Sequence, residues 1–467
     1  MNLLMSNKVR TKTNNEQLPK FFDILKRILK ISIPAALETL LMGIIGLIDT
    51  MMVGNHPDET ISAARLAAVS ICQQPVFITL AISFGINAGL TAIVSRRKGE
   101  KNPAEASKTV RHAILLSIII GGIITTLSIL FAEPFLRFSG AKDDTIAYAI
   151  DYFTIVSSIS IFNYIRLALC AALRAEGSTK LTLVTNIVAN FVNVFLNYCL
   201  INGNLGFPEL GVKGAALATI IGNLVAFSIA FFFVLFRNGF VKISFKDNWR
   251  FDKDTLSTLV TVSTPAFIEQ LFMRIGFFII AVIINNLGTN VVAMNAIING
   301  IIMLAFNVTD GFCVGAASLV GESLGKKKPG LAFAYARLSQ IISFVLGIFM
   351  VIIIFIFSEP LSKLFSSNKD VIAGASEVLG FAVFVIFPQS LQWVTTGALR
   401  GSGDVKFTAR TSMLSVAIIR PLISYLLCYP FALGLLGAWI GMFIDQTIRF
   451  VLNNYRLNSL KWMDIKV

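Results

Sequence analysis

One long apolar pattern occurs twice in this chain, and that duplication constrains the fold more than any other feature. Ile33-Pro34-Ala35-Ala36-Leu37-Glu38-Thr39-Leu40-Leu41-Met42 returns as Thr264-Pro265-Ala266-Phe267-Ile268-Glu269-Gln270-Leu271-Phe272-Met273, with Pro, Ala, Glu, Leu and Met in the same places. Ala172-Leu173-Arg174, with Gly177 and Lys180, recurs 226 residues later as Ala398-Leu399-Arg400 with Gly403 and Lys406. Phe131, Glu133 and Pro134 recur at the same offset as Phe357, Glu359 and Pro360, and so do Gly85, Gly89, Gly99 and Pro103.

The duplicated unit has the composition of a membrane span. Hydrophobic residues make up 55% of the 467 and charged ones 14%, against about 25% charged in a soluble domain. Roughly 20 apolar residues cross a bilayer as a helix, and twelve such segments appear at 31–53, 66–95, 112–132, 146–172, 181–201, 213–236, 257–286, 291–321, 333–357, 374–398, 408–430 and 434–455. The runs are continuous and do not alternate, so helices rather than a barrel are expected. The expected fold is all-α and integral to the membrane, with two pseudo-symmetric six-helix bundles around a central cavity. An even number of spans per half relates the halves by an axis along the membrane normal, and such duplicated units bind between their halves. The expected units are a cytoplasmic amphipathic segment at 1–30, a first lobe at 31–236, a linker at 237–256, a second lobe at 257–455 and a tail at 456–467.

The net charge of +14 is a topology signal. Thirty of the 40 Lys and Arg fall on the face carrying both termini, 6 fall on the other, and 4 arginines lie within spans. That asymmetry excludes nucleic acid as the reason for the basic excess and places both termini in the cytoplasm, with the chain in the cell membrane. The apolar positions of 18–29 suggest a helix on the cytoplasmic surface, or an extension packed beneath the bundle. No cleavable leader is apparent. The five cysteines are scattered within apolar segments and are expected to pack. Two histidines, His56 and His112, near loop ends, with no nucleophile–base or metal-ligand spacing, argue against an enzyme.

The runs Pro34…Asp49-Thr50-Met51-Met52-Val53-Gly54 and Val192-Asn193-Val194-Phe195-Leu196-Asn197-Tyr198, the Gly85…Gly89 pattern and the two Ala-Leu-Arg motifs resemble the MATE (multidrug and toxic compound extrusion) family over about 20–455. The resemblance implies alternating access and export of organic, usually cationic, small molecules in exchange for Na⁺ or H⁺, with Pro34 as a kink in the first helix. No other cofactor is expected, and the partners are the substrate and membrane lipid, with the chain a monomer. One branch of the family holds its coupling cation at positions matching Asp49, Asn193, Asn197 and Thr219, where Asn197 replaces an acidic residue. Another branch uses acidic positions that match Met273 and Gln389 here.

A charge at mid-bilayer costs about 2.5–3.5 kcal/mol on insertion scales and needs a reason. Glu38 lies 11 residues before Asp49, three helical turns away on the same face. Asn186, Asn190, Asn193 and Asn197 share one face of the fifth span. Such amides serve a site or hold helices together. Glu269, the repeat partner of Glu38, is expected at the cavity with Asp310, Arg274 and Gln389. Asp445 and Arg449, one turn apart, are expected to pair. Arg166, Arg274 and Arg420 either neutralise carboxylates or serve an anionic substrate, as in related lipid-linked sugar flippases of the wider superfamily. The 39 phenylalanines suit an aromatic cavity but equally a lipid-facing surface.

Overall fold

Continuous apolar runs can satisfy their backbone inside a bilayer only as helices, and the described residues form helices and no strand. A computed structural model describes residues 12–13, 16–54, 59–143, 145–365 and 368–465. His56, most of the first 15 residues and the last two of the tail lie outside them. The first lobe contains α1 (Phe21–Gly54), α2 (Glu59–Gly99), α3 (Pro103–Leu130), α4 (Ala132–Phe138), α5 (Ile146–Ser158), α6 (Ser160–Ala175), α7 (Thr179–Ile201) and α8 (Val212–Phe236). The second contains α9 (Lys253–Asn285), α10 (Thr289–Gly325), α11 (Pro329–Ile356), α12 (Ser358–Lys363), α13 (Lys369–Ala382), α14 (Ile386–Gly401), α15 (Val405–Leu414), α16 (Arg420–Cys428) and α17 (Gly434–Ser459).

Among the described residues eleven spans are long and apolar enough to cross a membrane, and α5 with α6, bent by 54°, makes a twelfth. The bend falls in a serine-rich stretch, where Ser158 Oγ bonds back to the Ile155 carbonyl; a side chain competing for a helical carbonyl favours bending. A wide turn at Ser415–Ile419 separates α15 from α16, just before Pro421, which has no N–H to give the helical ladder. Pro34 sits inside α1, which is helical on both sides of it.

The boundary expected at residue 30 falls inside α1, whose first third is 21–30. Ile24 and Ile28 are fully buried in a cluster with Leu324, Leu331, Leu457 and Trp462. The amphipathic segment is therefore an extension packed beneath the second lobe, and residues 457–463 close over it. The linker is ordered against the first lobe. Glu176 accepts from Arg237 at 3.0 Å and from the Val241 N–H at 2.8 Å, and Arg111 donates to Asp247 at 2.7 Å.

The lobes meet through repeat mates. Gly85 on α2 backs onto Phe267 on α9, while its mate Gly311 on α10 backs onto Ala36 on α1. Gly89 faces Ser263, and its mate Gly315 faces Ser32. Gly99 and Gly325 face each other, and a Cβ on Gly99 would stand 2.7 Å from the Gly325 Cα. Each contact is repeated by its counterpart, as a pseudo-two-fold axis between the lobes requires, and small residues let the helices approach closely. At this end, which bears both termini, Glu322 of α10 also holds Arg27 of α1 and, at 3.1 Å, Lys98 of α2.

The symmetry predicts paired accessibility. Lys101 and Lys327 are exposed repeat mates with matching φ of 58° and 56°, and Arg137 and Lys363 are exposed mates at the opposite end. All five native cysteines are buried. Cysteines at 101 and 327 should react with an impermeant thiol reagent from one side of the membrane, and those at 137 and 363 from the other. Labelling of the two members of either pair from opposite sides would contradict the two-fold.

Candidate functional site

Two carboxylates on α1, Glu38 buried and Asp49 half-buried, find their donors on α7 in matching register. Asn186 Nδ2 donates to Glu38 at 2.8 Å and Asn197 Nδ2 to Asp49 at 2.7 Å, each pair 148 residues apart in the chain. An 11-residue step on both helices repeats the same contact three turns on. The Asn193 amide, oriented with its nitrogen toward the carboxylate, donates to Asp49 at 3.0 Å while its oxygen accepts from the Thr219 N–H at 3.2 Å; that orientation follows from the network. Thr219 Oγ1 itself bonds back to the Ala215 carbonyl. Asp49, Asn193, Asn197 and Thr219 thus form one cluster between α1, α7 and α8. Asn197 Oδ1 is buried there without a hydrogen-bond partner, leaving an uncommitted oxygen beside a carboxylate. Tyr152 of α5, beside Thr219, completes the cluster; the sequence reading missed it.

Between the lobes lies a cavity of about 450 Å³. Glu38, Thr39 and Met42 of α1, Arg166 and Arg174 of α6, Met273 and Arg274 of α9, and Asp310, Trp393 and Arg400 line it. Four lining arginines face two lining carboxylates, and most of that charge is already committed. Arg174 Nη1 donates to Glu38 at 2.8 Å and Thr182 Oγ1 at 2.5 Å. In the second lobe Arg400 donates to Glu269 at 2.7 Å. The two motifs that echo in the sequence, Pro-x-x-x-Glu and Ala-Leu-Arg, are the two halves of one ion pair made once in each lobe.

Several expectations change. Glu38 lines the cavity but is neutralised, and Glu269 is buried behind Arg400, outside the lining. Neither is a free counter-ion. Gln389 is buried, accepts from Gln392 at 3.3 Å and also stands outside the lining. Asp310 does face the cavity, with one oxygen taking the Trp393 indole N–H at 2.8 Å. Arg274 makes no ion pair among the described residues. It stacks over Phe77 at 4.6 Å, with its Nε unpartnered. Arg166 donates to Asn163 and, at 3.2 Å, to the oxygen of the Asn186 amide that serves Glu38. Arg420 lies over Phe277, outside the lining.

Asp445 pairs with Arg449 at 2.9 Å and accepts from Ser415 at 2.5 Å. His112 bridges the Lys108 carbonyl and the Asp252 N–H, a structural tie between α3 and the linker. Among the described residues no group of three His, Cys, Asp or Glu could hold a metal ion. The second lobe's ion pair was hidden because its members lie 131 residues apart.

Two pseudo-symmetric bundles of spans enclosing a charged cavity define a multi-pass membrane transporter. The chain belongs to the MatE family, whose model matches residues 34–199 and 265–426, once in each lobe. It is 28% identical to "Probable multidrug resistance protein NorM" of Thermotoga maritima, over 96% of this chain and 94% of that protein. It is 27% identical to "Uncharacterized transporter YisQ" of Bacillus subtilis, over 92% and 93%. Among solved structures it resembles the "Outward-facing conformation of a multidrug resistance MATE family transporter of the MOP superfamily", with TM-score 0.86, 22% identity and coverage of 96% and 100%. A Pyrococcus furiosus transporter described as having "Reverse polarity of binding pocket" matches with TM-score 0.85 and 23% identity, covering 96% of this chain and 100% of that one.

Removing one member of a buried ion pair strands the other charge and costs about 3–5 kcal/mol, whereas replacing both by apolar residues is often neutral. Glu269→Ala should therefore lower the unfolding midpoint of the purified protein markedly, and Glu269→Leu with Arg400→Met should recover most of the loss. A double variant as unstable as the single would show that the pair is not the source of the cost.

Proposed function

We propose that the protein is a secondary exporter of amphipathic organic compounds, working by alternating access and driven by entry of Na⁺ or H⁺ at Asp49. The observation that carries this reading is the Asp49 cluster. Asp49 is a carboxylate on α1 that has amide donors but no cationic partner among the described residues. Glu38, on the same face, is tied to Arg174. A proton or a sodium ion neutralises Asp49 where no side chain does, and Asn197 Oδ1 offers an oxygen to a metal cation. The lobes act as units, each held by its own buried ion pair, and rock about the axis between them. The end bearing the termini is cytoplasmic, the membrane is the cell membrane, and the working unit is a monomer of two lobes. The relatives named for multidrug resistance support the substrate range.

Substrate charge divides into two readings. In the first, a cationic amphiphile pairs with Asp310 and lies against Trp393. The second is favoured by Arg166 and Arg274, which face the cavity without a carboxylate partner, and by the reversed pocket polarity described for the Pyrococcus furiosus transporter. There the ligand is an anionic or lipid-linked compound.

One reconstitution separates these possibilities. Liposomes holding the purified protein are given a Na⁺ or pH gradient and a fluorescent lipophilic cation or anion. Asp49→Asn should reduce gradient-driven uptake to that of empty liposomes, and undiminished uptake would remove Asp49 from coupling. On the cationic reading Asp310→Asn abolishes cation uptake and Arg274→Gln leaves it. On the anionic reading Arg274→Gln abolishes anion uptake. Asn197→Asp sets a second carboxylate beside Asp49 and should shift the ion dependence. If Glu269→Gln alone removes that dependence, the coupling site lies in the second lobe instead.

A further inference from the structure

The first turns of α1 carry a feature that neither the cavity nor the Asp49 cluster uses. Phe22, Leu25, Lys26, Leu29, Lys30 and Ile33 are spaced as one helical stripe. With Pro34 and with Lys180 at the start of α7, they wall a groove of about 550 Å³. Its apolar wall is open, with Phe22 76% and Ile33 45% exposed. The same side of α1 continues toward mid-membrane as Leu37 and Ile44, both exposed. Beside the groove, and sharing Lys26 and Lys30 with it, is a second concavity of about 370 Å³ that also takes in Asp23, Arg27 and Lys98.

The charges here are unevenly spent. Arg27 and Lys98 are held by Glu322. Lys26, Lys30 and Lys180 are exposed and make no ion pair among the described residues. Three free ammonium groups therefore ring the mouth of an apolar groove where the spans meet the basic end of the bundle. A free inorganic anion would use the lysines and leave the apolar wall in water. A neutral lipid would use the wall and leave the lysines unpaired. Basic pockets between spans on this kind of face suit anionic headgroups.

We infer that this groove is a binding site for an anionic phospholipid, its phosphate held by Lys26, Lys30 and Lys180 and one acyl chain lying along Phe22, Leu25, Leu29 and Ile33. The site adjoins Arg27 and Lys98, the two cations by which the first lobe grips Glu322. Lipid bound there meets the contact between the lobes at that end.

The test measures retention of phosphatidylglycerol against phosphatidylcholine by the purified full-length protein, by native mass spectrometry and by the shift of its unfolding midpoint with added lipid. The parent should hold phosphatidylglycerol at least about tenfold more tightly, given roughly a fivefold gain for each surface lysine. Lys26→Gln, Lys30→Gln and Lys180→Gln together should erase that preference. The same replacements at exposed Lys327, Lys328 and Lys461, on the same face but away from the groove, should keep it. Phe22→Ser should weaken phosphatidylglycerol while leaving the lysines in place. The inference is overturned if both lipids bind alike, if the control triple loses as much as the groove triple, or if glycerol phosphate binds as tightly as the whole lipid.

Discussion

The structure is organised around the cost of keeping carboxylates inside a membrane bundle. A buried charge survives only when opposing charges and hydrogen bonds replace the water it has lost. Glu38 receives an arginine, a threonine hydroxyl and an amide from α6 and α7. Glu269 receives an arginine from α14, and Asp445 receives Arg449 and Ser415. Every one of these partners belongs to the same lobe as its carboxylate. Each lobe is thereby pinned internally, and among the described buried carboxylates one is an exception that reaches across the boundary.

That exception is Glu322, which holds Arg27 and Lys98 across the boundary. It sits beside Gly99 and Gly325, where the backbones come closest. A bundle whose buried ion pairs lie mostly within its lobes suits rotation of whole lobes better than remodelling of either. The packed extension of α1 belongs to the same end. Ile24 and Ile28 lie among second-lobe residues, so the first helix of one lobe is physically tied to the base of the other.

The duplication, the spans and the inward face of α7 could all be read from residue spacing, because helical period and apolar length are local properties. Asp49 and the asparagines of α7 could be matched for the same reason. The fate of Glu38 and Glu269 could not. Arg174 and Arg400 follow their helices in the sequence, so they read as basic loop residues that mark topology. In three dimensions they end α6 and α14, whose last turns bring the guanidinium groups back over the cavity. One signal was available: the Glu and Arg motifs recur together, at offsets of 231 and 226, as two halves of an interaction must if both copies retain it. Tyr152 and Trp393 gave no comparable signal, since one aromatic residue among many in a span carries no spacing of its own. The division at residue 30 failed because a charged, amphipathic stretch reads alike whether its apolar side meets lipid or protein. Burial against Trp462 decided between them.

The contrast between Glu38 and Asp49 carries the functional consequence. They share a helix and a face, and each takes an amide from the same stripe of α7. Only Glu38 also takes an arginine. On the proposed coupling role, Asp49 changes its net charge whenever a proton or cation comes or goes, while Glu38 remains part of a fixed pair. Since the two lie three turns apart on one rigid helix, a shift of α1 against α7 at Asp49 must be felt at Glu38 and hence at Arg174 in the wall of the cavity. The amides are suited to that linkage. Asn186 gives its nitrogen to Glu38 and its oxygen to Arg166, so α1 cannot slide along α7 without disturbing an arginine that faces the substrate space. On that proposal, ion occupancy at one end of the stripe and the charge presented to the cavity at the other are linked through a single pair of packed helices.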